Sequence, residues 1–269
     1  MEQSQVVTPG TALDCEMKTL TVSNLQKSYY DKIVLNGLNF EVSKGEAISI
    51  IGSNGAGKST LIKCILFLTK PDSGSIDIFE NRVNTLSQST LRKLRSKVGV
   101  VFQKHNLVPR LSVLSNVIHG AIGEANTSSI FPLSAAPRWT HVTASNSIRS
   151  KAMACLKMVG LESLALKRAD SLSGGQSQRV AIARALMQEP EIIIADEPAA
   201  SLDPVAGQQV MNLFFKLCKE QNITLLFTSH NTDQALDYAD RTIALKNGKI
   251  SLNEKTNMLK SKDLICEYG

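Results

Sequence analysis

The sequence predicts an α/β fold built on a mainly parallel core sheet, and three observations carry that expectation. Short apolar runs stand at 48–51, 98–102, 192–195 and 223–227. They lack the alternation of a half-solvated strand and read as strands buried on both faces. Segments with helical spacing lie between them, as at Leu61, Ile62, Ile65 and Leu66. After residue 172, strands and helices alternate regularly, the pattern of a parallel sheet with crossover helices.

Residues 1–17 are polar and aperiodic and are expected to form a flexible N-terminal tail. LTVSNLQKSYY and IVLNGLNFEV then alternate as strands, and Gly45 ends the second. EAISIIG reads as a buried strand, followed by a glycine-rich turn and the helix KSTLIKCILFL. Pro71-Asp72-Ser73-Gly74 signals a turn before the strand SIDIF. VGVVFQ, at 98–103, is a second buried strand. Residues 104–171 differ in texture: helical segments at 113–121 and 148–159 flank an irregular excursion at 123–144 rich in Ser, Thr, Pro and Ala. Gly160 stops the second of these helices. A helix at 176–187, the strand EIIIAD, a helix at 205–220, the strand ITLLFTS, a short helix and RTIAL complete the core. Asn247-Gly248 then turns the chain into KISL as a hairpin.

Composition excludes several classes. Of 269 residues, 43% are apolar and 20% charged, ordinary globular usage that rules out collagen, coiled coil and wholesale disorder. No run approaches the ~20 apolar residues needed to cross a bilayer, and MEQSQVVTPG lacks the basic start and apolar run of a secretory signal. A net charge of +6 permits contact with anions but does not decide it. The cysteines, at 15, 64, 155, 218 and 266, form no C-x-x-C pair, so reduced thiols are expected rather than disulfides or a zinc site.

Gly52-Ser53-Asn54-Gly55-Ala56-Gly57-Lys58-Ser59 matches G-x-x-x-x-G-K-[ST], a pattern that arises by chance in about 1 such chain in 100. Backbone N–H groups must wrap phosphate closely, and the following helix points its N-terminus at the anion. Lys58 reaches the β- and γ-phosphates, and Ser59 offers a hydroxyl to Mg²⁺. Asp196 ends a buried strand, where open α/β sheets place ligands, and can hold Mg²⁺, while Glu197 can polarise an attacking water as general base. Leu172-Ser173-Gly174-Gly175-Gln176 precedes a helix and builds a second anion-directed surface from a hydroxyl, glycine backbone and a helix N-terminus.

With these three motifs in order, the sequence resembles the ATP-binding cassette (ABC) transporter ATPases from Lys18 to about Asn253, LSGGQ being that family's signature. The resemblance implies a P-loop cassette over 18–266, with an N-terminal antiparallel β subdomain and an inserted helical subdomain at about 104–171. It implies ATP and Mg²⁺ as ligands and a homodimer in which each ATP lies between 52–60 of one chain (Thr60 included) and Ser173, Gly174, Gly175 and Gln176 of the other. Gln103 resembles the Q-loop glutamine that senses Mg²⁺ and γ-phosphate, Asp203 in Ser201-Leu202-Asp203 the aspartate bridging the dimer, and His230 the switch histidine. Tyr29, with Tyr30 as the alternative, matches the aromatic that stacks on adenine.

One cassette without a membrane span implies an importer assembled from separate chains, at the cytoplasmic face of the membrane, with a membrane permease and, indirectly, an extracytoplasmic solute-binding protein as partners. The 68 residues between Gln103 and Leu172 show no sustained heptads, unlike DNA-repair ATPases of this family, and translation-factor members usually carry two cassettes. The basic group Arg92, Lys93, Arg95 and Lys97 reads as a solvated helix face rather than a nucleic-acid site. HNLVPRLSVLSNVIHGAIG, then Phe131, Pro132, Pro137, Arg138 and Trp139, together with ADEPAASLDP and the ending CEYG, is similar to phosphonate importer ATPases. Phosphite, polar amino acids, lipoprotein extrusion and a non-transport ATPase remain alternatives.

Overall fold

The computed structural model describes residues 17–124, 140–142 and 144–268. The expected tail up to residue 16 and most of the 123–144 excursion, with Phe131, Pro132, Pro137, Arg138 and Trp139, lie outside the described residues. Two long strands open the fold, β1 (Lys18–Tyr29) and β2 (Lys32–Ser43). With β4 (Ser73–Ile78) and β5 (Asn81–Arg82) they form an antiparallel sheet in the order β2-β1-β4-β5. The second sheet holds β3 (Ala47–Ile51), β6 (Val98–Phe102), β7 (Ile192–Asp196), β8 (Thr224–Thr228), β9 (Arg241–Lys246) and β10 (Lys249–Lys255). Its order is β10-β9-β3-β8-β7-β6, and every neighbouring pair is parallel except the β9–β10 hairpin.

The apolar runs occupy the middle of this sheet because both of its faces are covered. Ile192, Ile193 and Ile194 are fully buried, each contributing about 2 kcal/mol. One core cluster joins Leu20, Leu35 and Ile76 of the antiparallel sheet to Leu61 and Ile62 of α1 (Lys58–Ile65) and Leu91 of α2 (Gln88–Ser96). A second joins α3 (Val113–Ile118), α4 (Asn146–Met158), α5 (Gly174–Leu186) and α6 (Pro204–Glu220), and a third, smaller one holds Ile51, Ala235, Ala244 and Leu264. Helices α7 (Thr232–Tyr238) and α8 (Ser261–Tyr268) pack on one another and on the β9 side of the sheet. Cys64, Cys155 and Cys218 are buried thiols, and burial raises their pKa values to about 11, 11 and 12; Cys266 is exposed.

Three local differences from the expected elements have physical causes. The helix expected over 113–121 ends at Ile118 and continues as 3-10 turns over 119–124, where Gly120 and Gly123 are poor helix formers. Helix α2 is mostly polar and α8 is only eight residues long, with four apolar residues of which Leu264 is buried, so apolar periodicity marks both weakly; only the basic face of α2 is visible in the sequence. The turn at 71–74 runs directly into β4 because Asp72 docks it onto β1: its carboxylate accepts from Lys27 Nζ and from the Ser28 amide, both at 2.6 Å. Gly74 then passes β1 with φ +84°, where a Cβ would lie 2.3 Å from the Asn24 carbonyl oxygen. Gly74→Ala is expected to destabilise the fold by about 2 kcal/mol or more, read by urea denaturation.

Candidate nucleotide site

The cradle is the link between β3 and α1. Gly52 has φ +148° and Gly57, at the N-terminal cap of α1, has φ +108°. A Cβ on Gly52 would meet the Leu245 carbonyl oxygen at 2.4 Å, and one on Gly57 the Val34 carbonyl oxygen at 2.9 Å. The loop is thus held between β9 and β2, with Ser53, Asn54 and Gly55 exposed at its crest. Ser59 is exposed and Thr60 half-buried at the start of α1, while Ala56 is buried beneath the loop. Lys58 is only 6% exposed; its ammonium donates to the carbonyl of Gly52 at 2.6 Å and lies 3.3 Å from that of Ser53. Burial pulls the Lys58 pKa down, and the carboxylates of Glu197 and Asp196 oppose that shift.

Those carboxylates stand at the same sheet edge. Asp196 ends β7, opposite Phe102 on one side and Thr228 on the other. Its Oδ1 lies 3.5 Å from Ser59 Oγ and accepts from Thr228 Oγ1 at 2.7 Å. Glu197 follows with φ +48°; its Oε1 is 4.0 Å from Lys58 Nζ and its Oε2 3.5 Å from His230 Nδ1. The structure therefore gathers Lys58, Ser59, Asp196, Glu197 and His230 around one point at the C-terminal ends of the parallel strands. The hydroxyl of Ser59 beside the carboxylate of Asp196 is a hard-oxygen pair of the kind that suits Mg²⁺.

The other expected residues lie apart from this group. Gln103 follows β6 at the same edge, one residue beyond the Phe102–Asp196 pairing, with its side chain exposed. Its backbone carbonyl is 3.4 Å from Ser201 Oγ. Ser173 caps α5 in a reciprocal box: its Oγ accepts from the Gln176 amide at 3.3 Å, and Gln176 Oε1 accepts from the Ser173 amide at 3.0 Å. Asp203 caps α6 by accepting from the Ala206 amide at 2.9 Å. Ser173, Gly174, Gly175, Gln176, Leu202 and Asp203 line an open groove of about 440 Å³. Among the described residues, no hydrogen bond or ion pair joins residues 173–176 to the cradle of the same chain. Tyr29 ends β1, 41% exposed, with Lys27 Nζ 5.4 Å from its ring centroid; Tyr30 is fully exposed in the turn.

Two residues enter that the motifs do not mark. Thr228, fully buried, bonds to both Asp196 and the Glu197 amide, the latter donating to Thr228 Oγ1 at 2.9 Å. Arg184 of α5 donates to the carbonyls of Asn106 and His105 at 2.7 and 2.8 Å and so fixes the loop after Gln103. Burial lowers the pKa of His105, and the Arg184 charge adds to that shift. An arginine inside the apolar stretch RVAIARAL was the available signal for the second residue; the first carried none, since a threonine is common in strands.

The comparisons with known proteins agree with this geometry. A family model described as ABC transporter matches residues 35–200. The chain is 42% identical over 255 residues to the "Phosphonates import ATP-binding protein PhnC 2" of Oceanobacillus iheyensis, covering 94% of this chain and 96% of that protein. It is 40% identical to the "Phosphate-import ATP-binding protein PhnC" of Mycolicibacterium smegmatis, over 91% of this chain and 90% of that one. Among solved structures, a dimeric post-hydrolysis ATP-binding cassette bound to ADP and Pi superposes with TM-score 0.75 at 35% identity, covering 88% of this chain and 98% of that chain. The cbiO1 component from Clostridium perfringens superposes with TM-score 0.78 at 32% identity, covering 93% of each chain. A glycine cradle, an acid pair at the strand ends and a separate serine-capped tip, joined to these likenesses over nearly the whole chain, establish that it belongs to the ABC transporter ATPase family.

Proposed function

We propose that the chain hydrolyses ATP at two composite sites of a homodimer on the cytoplasmic face of a membrane and energises import of phosphonates through separate permease subunits. One observation carries the composite site. The cradle and the Asp196–Glu197 edge form one cluster, whereas the Ser173 tip, exposed and self-capped, has no hydrogen bond or ion pair to them among the described residues of the chain. A second copy supplies the tip that a single chain cannot bring to its own phosphates.

In this reading, the backbone of 52–60 binds the phosphates and Lys58 neutralises the β- and γ-oxygens. Ser59, Asp196 and Gln103 would hold Mg²⁺, which when bound neutralises charge on the phosphates. Glu197 takes a proton from the attacking water, and His230, 3.5 Å from it, holds that carboxylate against the γ-phosphate side. Ser173, Gly174 and Gly175 of the second copy donate to the γ-phosphate, Gln176 keeps that tip in shape, and Asp203 braces the dimer. Tyr29 stacks on the adenine. Residues 104–171 form the helical lobe that meets the permease, whose solute arrives on an extracytoplasmic binding protein. The names of the phosphonate-import relatives support phosphonate as the solute, and the phosphate-import relative supports inorganic phosphate as the second reading. Uptake by cells with and without the gene, given methylphosphonate or phosphate, decides between them: loss of phosphonate uptake alone is expected.

The composite site makes a sharp prediction at Gly175. A Cβ there would lie 3.6 Å from Ala206 Cβ, an ordinary contact, so the isolated chain tolerates it. Gly175→Ala is expected to leave the thermal midpoint unchanged while lowering ATPase activity on the order of 10²-fold, because the added methyl enters the groove beside the tip and holds the incoming phosphate away from its donors, an effect equal to losing one of them. Parallel loss of both would place the defect inside the single chain.

A further inference from the structure

We infer that Thr228 is a positioning residue, holding the metal-side carboxylate Asp196 and the backbone of Glu197 in one fixed relation. The inference rests on the roles proposed above for those two acids. Three observations support it. Thr228 is fully buried at the end of β8, directly opposite Asp196 across the parallel pair. Its single hydroxyl is used twice: it donates to Asp196 Oδ1 at 2.7 Å and accepts from the Glu197 amide at 2.9 Å. Glu197 sits at φ +48°, a left-handed conformation that a side-chain-bearing residue keeps only when its surroundings hold it there.

The electrostatics follow from the bond directions. By donating to Oδ1, the hydroxyl orients the Asp196 carboxylate while leaving its second oxygen free of that bond. By accepting from the amide, it fixes the peptide that follows Asp196 and therefore the direction in which the Glu197 side chain leaves the strand. A valine has nearly the same shape but can do neither, so it takes away the partner of the half-buried Glu197 amide and the shortest bond of the half-buried Asp196 carboxylate. Threonine at this place thus couples two groups that would otherwise move independently: the oxygen set beside Ser59 and the base above it.

The test uses the full-length chain with Thr228→Val, Thr228→Ser and Thr228→Cys. Five quantities are measured: kcat and KM for ATP, Mn²⁺ binding in the presence of ADP by electron paramagnetic resonance, ADP binding in EDTA, and the thermal midpoint. Thr228→Val is expected to lower both kcat and Mn²⁺ affinity about 10- to 100-fold, the usual cost of losing a group that orients a metal-binding carboxylate. ADP binding in EDTA should stay unchanged, since the cradle is untouched, and Thr228→Ser should restore both losses. Should the valine variant not fold, serine against cysteine makes the same comparison, with cysteine, a weak hydrogen-bonder, expected to match the valine prediction. Unchanged kcat and Mn²⁺ affinity in the valine or cysteine variant overturns the inference, as does a matching loss of ADP binding in EDTA. Asp196→Asn and Glu197→Gln are run alongside. If those two retain Mn²⁺ binding and turnover, the assignment of the acids fails rather than the coupling through Thr228.

Discussion

Lys58→Ala is expected to reduce kcat/KM for ATP by about 10²–10³-fold or more, the scale of one preorganised charge contact to a transferring phosphoryl group. The side chain is nearly buried and its ammonium is held against the carbonyls of Gly52 and Ser53, so no solvent-exposed cation can replace it. Burial also lowers its pKa, which gives a second, independent readout. Burial disfavours the charged form in the free protein, whereas a bound triphosphate favours it. Binding above the free-protein pKa of Lys58 therefore takes up a proton, and nucleotide affinity falls as pH rises through that pKa. Calorimetry in two buffers of different ionisation enthalpy measures the uptake, and Lys58→Ala should abolish it. A variant with wild-type affinity and turnover would remove Lys58 from the site.

Glu197→Gln is expected to slow hydrolysis about 10²–10⁴-fold, the range for loss of a general base, while ATP binding survives. Glutamine keeps the shape of the side chain but cannot take the proton. It also removes a negative charge from a cluster that includes Asp196 and the incoming phosphates, which favours the closed, ATP-loaded pair of chains. Gel filtration with ATP should show a stable dimer for this variant and a transient one for the wild type. Rapid turnover by Glu197→Gln would rule out Glu197 as the base. Lys58→Ala should show neither dimer nor turnover, so the two variants separate loss of binding from loss of chemistry.

What the sequence disclosed is what it encodes contiguously. Residues 52–59 carry the glycines, the lysine and the serine of the cradle in one run, and the strand 192–196 delivers Asp196 to a sheet edge because its apolar residues must be buried. The parallel core followed from the same buried runs. The bonds that depend on cross-strand register were not visible: nothing near residue 228 states that it lies opposite Asp196, and that pairing alone gives its hydroxyl two partners. Arg184 was hidden for a related reason, since its carbonyl partners at 105 and 106 are nearly eighty residues away. Helix α8 escaped, and α2 showed only its basic face, because few of their described residues are buried and periodicity is read from burial. The capping of α5 was partly legible: Ser173 marked a cap, but the helix begins at Gly174 rather than at 176, and the reciprocal Gln176 bond appears only in the structure.

The three enclosed thiols have a practical outcome. Cys64, Cys155 and Cys218 combine enclosure with pKa values of about 11 to 12, so maleimides, which attack thiolates, pass them by at neutral pH. Once Cys15 is replaced by serine, the exposed Cys266 becomes the reactive attachment point, which puts a single dye on α8 without further engineering.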